Sequence, residues 1–415
     1  MNVRHERPEW SSLVLILGLA GLIVMADNWV VSPILPSIAS AFGVPVASTG
    51  VLIAAYMLPF GLFQLGYGPI ADRYGKFRTV VVTLTLFAGV TALGAFMPSV
   101  EGLAVVRGLT GVFAAATMPV SLALLGDSVP MVDRQKAIGT FMGIAFLGQG
   151  ISMILGGVIA FALGWRWVFG LYGVIAAVIA VLLWSRMSRF PAVPAASGPL
   201  LAPYRTLLGR WRSARVYVVA LVEGMLVLGL FSFLGALLSS RHGLNVLQVG
   251  AAMTAFGVAA VVFGRLSGRL AERVGRVNLI AGALVIAGVS GVALAWVPLL
   301  PIEVAAIFGL GAGFMLAHSS ILTIATELAA HHRGVAMSLV AFAFMGGGSV
   351  GTMLAGRVIA GWGFQTYLIG WGLALVLAGI ASRFIMRGAG AGSSAAEATR
   401  PMVAATAAAH EGSQA

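Results

Sequence analysis

Three ionisable residues stand where ionisable residues are costly. Asp27, Arg107 and Glu223 each interrupt an apolar run about 20 residues long, the length that crosses a bilayer core of roughly 30 Å. A lone charge at such depth costs roughly 2.5–3.5 kcal/mol even on the mild insertion scale. The chemistry open to this set is proton binding. Guanidinium does not deprotonate in proteins, so Arg107 keeps its charge. A carboxylate can titrate, because burial favours the bound proton and a nearby cation disfavours it. Arg107 lies about six residues, roughly 8 Å, inside one end of its run. Asp27 lies about four to six residues from the end of its own run on the same side. The two are therefore expected at one depth, as a structural ion pair or as a titrating couple. Glu223 is about ten residues into its run, near the midplane, with no basic residue close in sequence. It is the leading candidate for proton binding or for attracting a cationic substrate. His318 is a further titratable group, although a lone histidine is more often a packing residue. Asn28, Trp29, Tyr56, Gln64 and Gln149 are candidates, with His318, to line a central cavity; Trp29 is equally suited to anchoring at a membrane interface.

The elements that would hold these residues are membrane helices. Of 415 residues 60% are hydrophobic and 9% charged, against about 25% charged in an ordinary soluble domain. A water-facing surface cannot be built from so few charges, which excludes a soluble enzyme and a disordered chain. Glycine supplies 55 residues, well above the usual share of about 7%, and small residues let membrane helices pack closely. Twelve spans are expected near 11–31, 48–70, 78–98, 102–127, 136–163, 166–186, 214–239, 245–270, 277–297, 301–328, 333–361 and 364–386. The fold class is all-α and polytopic. Residues 1–186 form one six-helix half, 187–213 a proline- and arginine-rich cytoplasmic linker, and 214–387 a second half. Residues 388–415, rich in Ala, Gly and Ser, are expected to be a disordered cytoplasmic tail. Arg4 and Arg7 before the first apolar run look superficially like a signal peptide. With no small-residue cleavage site, the run is taken as a retained first span.

Of 25 Lys and Arg residues, 20 fall in the termini, the linker and alternate loops, and only Arg166 and Arg241 fall in the loops opposite. By the positive-inside rule both termini are cytoplasmic. The formal charge of +12 is thus membrane topology, not a nucleic-acid surface. The chain has no cysteine, so disulfides, thiol nucleophiles and thiolate metal sites are excluded. No Gly-x-x-x-x-Gly-Lys-[Ser/Thr] loop is present, so ATP is not the direct energy source. No soluble region is large enough for catalysis, and no metal-ligand spacing appears. Catalytic residues, metals and cofactors are not expected.

The halves repeat at a spacing near 200. Gly68-Pro-Ile-Ala-Asp72-Arg73-Tyr-Gly75-Lys76 aligns with Gly268-Arg-Leu-Ala-Glu272-Arg273-Val-Gly275-Arg276, Asp127 with Glu327, and Arg134 to within one residue with Arg333. A six-span shift keeps topology, so the repeats are parallel. At these residues the chain resembles a major facilitator superfamily transporter, over nearly all of residues 11–386. The loop from Gly68 to Arg78 is similar to the superfamily's signature loop, with Phe77 in place of its second basic residue. Asp72, Arg73, Lys76 and Asp127, with Arg134, are expected to form a conformational latch. Its echo is Glu272, Arg273, Gly275 and Glu327. Arg107-Gly-Leu-Thr110-Gly111 resembles the span-4 motif of proton-coupled drug exporters, which usually have Gln at the position of Thr110. Gly164-Trp165-Arg166-Trp-Val-Phe169 also looks typical of that branch. In span 5, Gly148 and Gly156-Gly157 match the branch pattern, but Ser152-Met153 replaces its Gly-Pro.

The resemblance implies a secondary transporter moving small molecules with protons through the lipid bilayer, in the plasma membrane of a prokaryote and as a monomer. Export of small apolar or cationic compounds is the favoured reading. The alternative is a proton-coupled uptake symporter for a small metabolite, towards which Ser152-Met153 leans. A membrane sensor or intramembrane enzyme has no support in the sequence. Growth across a panel of toxic compounds separates export from uptake by the sign of its effect.

Overall fold

The computed structural model describes residues 9–189, 202–329 and 333–387. The expected terminal arginines Arg4, Arg7 and Arg400, the prolines at 191, 194 and 199, and the tail from 388 lie outside them. Span 1 is α1 (Glu9–Trp29) continued by α2 (Val31–Phe42), and span 2 is α3 (Val51–Tyr74) after a 3-10 turn. Span 3 is α4 (Lys76–Leu93). Span 4 is α5 (Val100–Ala114) with α6 (Thr117–Ser128). Spans 5 and 6 are α7 (Met131–Leu163) and α8 (Trp165–Trp184). A short helix, α9 (Ala202–Gly209), precedes span 7, which is α10 (Trp211–Glu223), a π-helical turn at Gly224–Leu228, α11 (Gly229–Ser232) and α12 (Leu234–His242). Spans 8, 9 and 10 are α13 (Val246–Val274), α14 (Arg276–Trp296) and α15 (Leu300–Leu328).

The last helix, α16 (Arg333–Ile385), has 53 residues, about 80 Å at 1.5 Å per residue and far more than one crossing needs. It breaks at Gly363, where φ is 78° and ψ 175°, giving spans 11 and 12. Twelve crossings follow. Among the described residues the positive-φ positions are all glycines, and they form three pairs: Gly43 and Gly243, Gly75 and Gly275, Gly164 and Gly363. The repeat is thus written into the turns. It recurs in the packing. Gly111 lies against the Tyr56 backbone as Gly311 lies against that of Phe256, and Gly148 against Leu22 as Gly347 against Leu221. A side chain at any of these would push two helices apart.

Two expectations change. Span 1 does not end near residue 31. Val30 keeps helical geometry (φ −69°, ψ −21°) and the helix runs on to Phe42. Pro33 falls in the first turn of α2, where N–H groups need no intrahelical partner. Asp27 is therefore near the middle of a helical run, not near one end. The 187–213 break is not wholly linker either. It holds α9, and span 7 begins within it at Trp211. Tyr204 on α9 donates a hydrogen bond to the Leu65 carbonyl of span 2 at 2.8 Å.

The face carrying the Gly75 and Gly275 turns and α9 is here called the basic face. Towards the far face the halves are sealed. Ser32 donates to the carbonyls of Phe231 and Ser232 at 3.1 and 2.9 Å, and Ser349 to that of Ala54 at 3.0 Å. On spans 5 and 8, Gly157 meets Gly250 and Gly150 meets Gly257. On the basic-face parts of spans 2, 5, 8 and 11, a Cβ added at Gly68, Gly139, Gly143, Gly268 or Gly334 would meet nothing within 4 Å. These glycines stand free of the opposite half, and between spans 5 and 8 the close contacts lie towards the far face.

Candidate functional site

Each half places a carboxylate on its first helix and a base on its fourth. In the first half, Arg107 Nη1 donates to Asp27 Oδ2 at 2.6 Å, and Nη2 lies 3.4 Å from the Asp27 carbonyl oxygen. Asp27 is 0% and Arg107 1% exposed. The guanidinium also stands 4.3 Å above the Tyr56 ring and 5.9 Å from that of Phe169, an arrangement a quadrupolar ring favours. Arg107 is thus held by charge, hydrogen bond and ring face together.

In the second half, His318 Nδ1 lies 3.1 Å from Glu223 Oε2. Glu223 is 0% exposed, while the His318 side chain is 18% exposed. Glu223 ends α10, and the next five residues form the π-helical turn. Such turns are rare and often occur at functional positions. Here the cause is close packing. Gly224 meets the Phe344 backbone and Gly351 that of Met225, so spans 7 and 11 touch chain to chain beside the carboxylate. His318 packs against Phe344 and Phe314 at 4.4 and 5.4 Å, and the three rings form one cluster.

Both carboxylates commit one oxygen to their base. Asp27 Oδ1 and Glu223 Oε1 are buried and have no protein partner. A half-satisfied carboxylate in a low-dielectric interior keeps one acceptor available for a proton or a ligand donor.

The candidate cavity residues fare unequally. Asn28, Trp29, Tyr56, Gln64 and Gln149 are all under 9% exposed. Tyr56 belongs to the Asp27–Arg107 site. Trp29 is not an interfacial anchor: its ring packs 5.0 Å from Phe231, 5.3 Å from Phe256 and 5.9 Å from Phe314. It carries the first half into an aromatic cluster that leads to His318. Gln149 neighbours the Gly150–Gly257 seam and Gln64 sits two turns below Tyr56 on span 2; neither joins the two acid–base pairs by a hydrogen bond among the described residues.

The expected latch pairs within each half. Lys76, not Arg73, carries it: Lys76 Nζ is 2.5 Å from Asp127 and 3.3 Å from Asp72. Arg276 pairs with Glu327 at 2.5 Å, 200 residues on. Arg73 points over the Tyr74 ring at 5.6 Å. Among the described residues Arg73, Glu272 and Arg273 form no ion pair, because the helix end before Gly75 turns Lys76 towards span 4 instead. Glu272 lines a polar cleft of about 320 Å³ with Ser267, Arg276, Ser320 and Thr323. Arg134 Nη2 reaches the Val129 carbonyl at 3.4 Å.

Sequence reasoning missed one cluster. Glu303, 0% exposed near the start of span 10, takes Arg241 at 2.5 Å and His242 at 2.6 Å. Arg241 also donates to the Leu294 carbonyl. The signal was available: Arg241 is one of two bases in the far-face loops, and such a charge calls for an acid.

The family profile described as Major Facilitator Superfamily matches residues 17–352 and, overlapping, 237–409. The MFS-type transporter YceJ of Bacillus subtilis (strain 168) is 27% identical over 80% of this chain and 86% of its own length. The puromycin resistance protein pur8 of Streptomyces alboniger is 28% identical over 85% of this chain and 82% of its own. Among solved structures, the bacterial homologue of the human lysosomal transporter Spinster, inward-facing and unoccupied, superposes with a TM-score of 0.70 at 18% identity, covering 93% of this chain and 96% of that one.

Proposed function

This chain belongs to the Major Facilitator Superfamily and is a multi-pass membrane transporter, not an enzyme, and from that premise we propose that it exports small apolar or cationic compounds in exchange for protons. One observation carries the reading. Two buried carboxylates, one on the first helix of each half, each keep an oxygen without a protein partner. The likeness to a puromycin resistance protein supports the direction.

The two sites divide the work. A proton placed on Asp27 leaves Arg107 charged and unpaired in the interior, which is costly. Glu223 faces a base that can itself give up a proton. The Glu223–His318 pair can therefore gain or lose one proton and change its charge by one, at a histidine that is not fully buried. Asp27–Arg107 is the fixed pair that keeps spans 1 and 4 in register. The aromatic cluster of Trp29, Phe231, Phe256, Phe314 and Phe344 offers ring faces to apolar groups and to cations.

The cycle is a rocking of two six-helix halves. With the basic face on the cytoplasm of a prokaryotic cell, as the distribution of Lys and Arg supports, cargo loads in the state described here and protons enter from the far face. Reconstituted vesicles test it: an imposed pH gradient drives cargo flux, and Glu223→Gln lowers that flux about a hundredfold, in the range of a lost acid–base group. Unchanged flux in that variant removes Glu223 from the mechanism. Growth with and without the gene on toxic compounds decides direction, since a proton-coupled uptake symporter would sensitise cells that an exporter protects.

A further inference from the structure

Span 2 contains two prolines, Pro59 and Pro69. A proline inside a helix removes the hydrogen bond to the carbonyl four residues earlier, which frees the carbonyls of Ala55 and Leu65. Gly108 of the same half lies against the Ala55 oxygen. The Leu65 oxygen is met from outside the half, by the Tyr204 hydroxyl of α9 at 2.8 Å. This helix packs on α10 and α16 of the second half, with Leu207 fully buried and Arg205 and Leu208 exposed. Tyr204 thus joins the second half to the first on the face where the glycines stand in open space.

We propose that Tyr204 is a positioning residue for the transport cycle: docked on the carbonyl that Pro69 frees, it holds the first half in the state open to the basic face. The inference rests on the rocking motion proposed above. Closing the basic face moves the end of span 2 relative to α10 and α16, so the bond must break for the cycle to proceed. The acceptor is particular. With no N–H at Pro69, the Leu65 carbonyl takes the Tyr204 hydroxyl in place of a donor four residues on in its own helix. Burial pushes the Tyr204 hydroxyl above its usual value, so it remains a donor below about pH 10.

The absence of cysteine makes a clean test available. Spin labels on cysteines replacing Gly139 and Gly268, one in each half and both in open space, report the opening of the basic face as a distance distribution. Tyr204→Phe should shift the ratio of long to short distances about two- to tenfold towards short, the range that one net hydrogen bond supports. Arg205→Ala on the same helix should leave it unchanged. Pro69→Ala restores a partner to Leu65 within the helix, so Tyr204→Phe should add nothing in that background. An unchanged distribution in Tyr204→Phe, or an equal shift with and without Pro69, overturns the proposal. Should Pro69→Ala not fold, an isotope-labelled Leu65 carbonyl gives the same answer by infrared spectroscopy: its band rises in Tyr204→Phe if the bond exists and stays if it does not. Failure of the export reading would appear in vesicle flux and leave these distances as they are.

Discussion

The two halves of this transporter share a scaffold and differ in the base and in its register: Arg107 stands four residues before Gly111, and His318 seven after the equivalent Gly311. Each sets an acid on its first helix against a cation-forming side chain on its fourth, and each leaves one carboxylate oxygen without a protein partner. In the first half the base is Arg107, fully buried and stacked on Tyr56. In the second it is His318, partly exposed beside two phenylalanines. Arginine keeps its proton and histidine can release it. The same scaffold thus carries an acid–guanidinium pair in one half and an acid–imidazole pair in the other.

The sharpest way to break the comparison is to remove the fixed pair. Arg107→Leu strands Asp27 in the interior and should destabilise the fold by about 3–5 kcal/mol, read as a lowered unfolding temperature in detergent. A variant as stable as the parent would mean that the pair does not hold spans 1 and 4. Next comes replacement of the imidazole by a guanidinium. His318→Arg gives the second half a base that cannot deprotonate. Flux driven by a pH gradient should fall by about ten- to a hundredfold while cargo binding persists; retained flux would show that titration of the base is not what distinguishes the halves. The smallest effects belong to the basic-face pairs. Lys76→Ala and Arg276→Ala occupy equivalent, partly exposed sites, and each should cost under about 1 kcal/mol of stability. A large loss for one alone would mean that the repeat hides a functional asymmetry there.

Much of this was legible in the residues. The spacing of 200 places Gly75 with Gly275 and Asp127 with Glu327, and the turns and ion pairs follow it. The span count survived a helix that runs unbroken by hydrogen-bond pattern across Gly363, because apolar length alone demands two crossings. Depth was harder. The first apolar run reads as closing near residue 31, which puts Asp27 near its end, whereas the helix continues to Phe42. Partners were harder still. His318 meets Glu223 across 95 residues, and Arg241 meets Glu303 across 62. Such contacts are fixed by how helices rotate against one another, and no local pattern encodes that rotation. Of Arg73 and Lys76, both expected in the latch, Lys76 makes the ion pairs for the same reason: nearby residues point to different sides of a turn.

The seam between spans 5 and 8 has a further consequence. Its glycines recur every seven residues, about 10.5 Å per step, and two facing pairs are closed. One step nearer the basic face, Gly143 and Gly264 continue the same ladder but stand apart, and Met315 reaches into the space beside Gly264. In the rocking cycle proposed above this open rung would engage in the opposite state, with the unbranched methionine folding away to admit it. A bulky side chain at 143 would then be silent in a thermal melt and felt only in turnover; Gly143→Leu with undiminished flux would leave that rung idle.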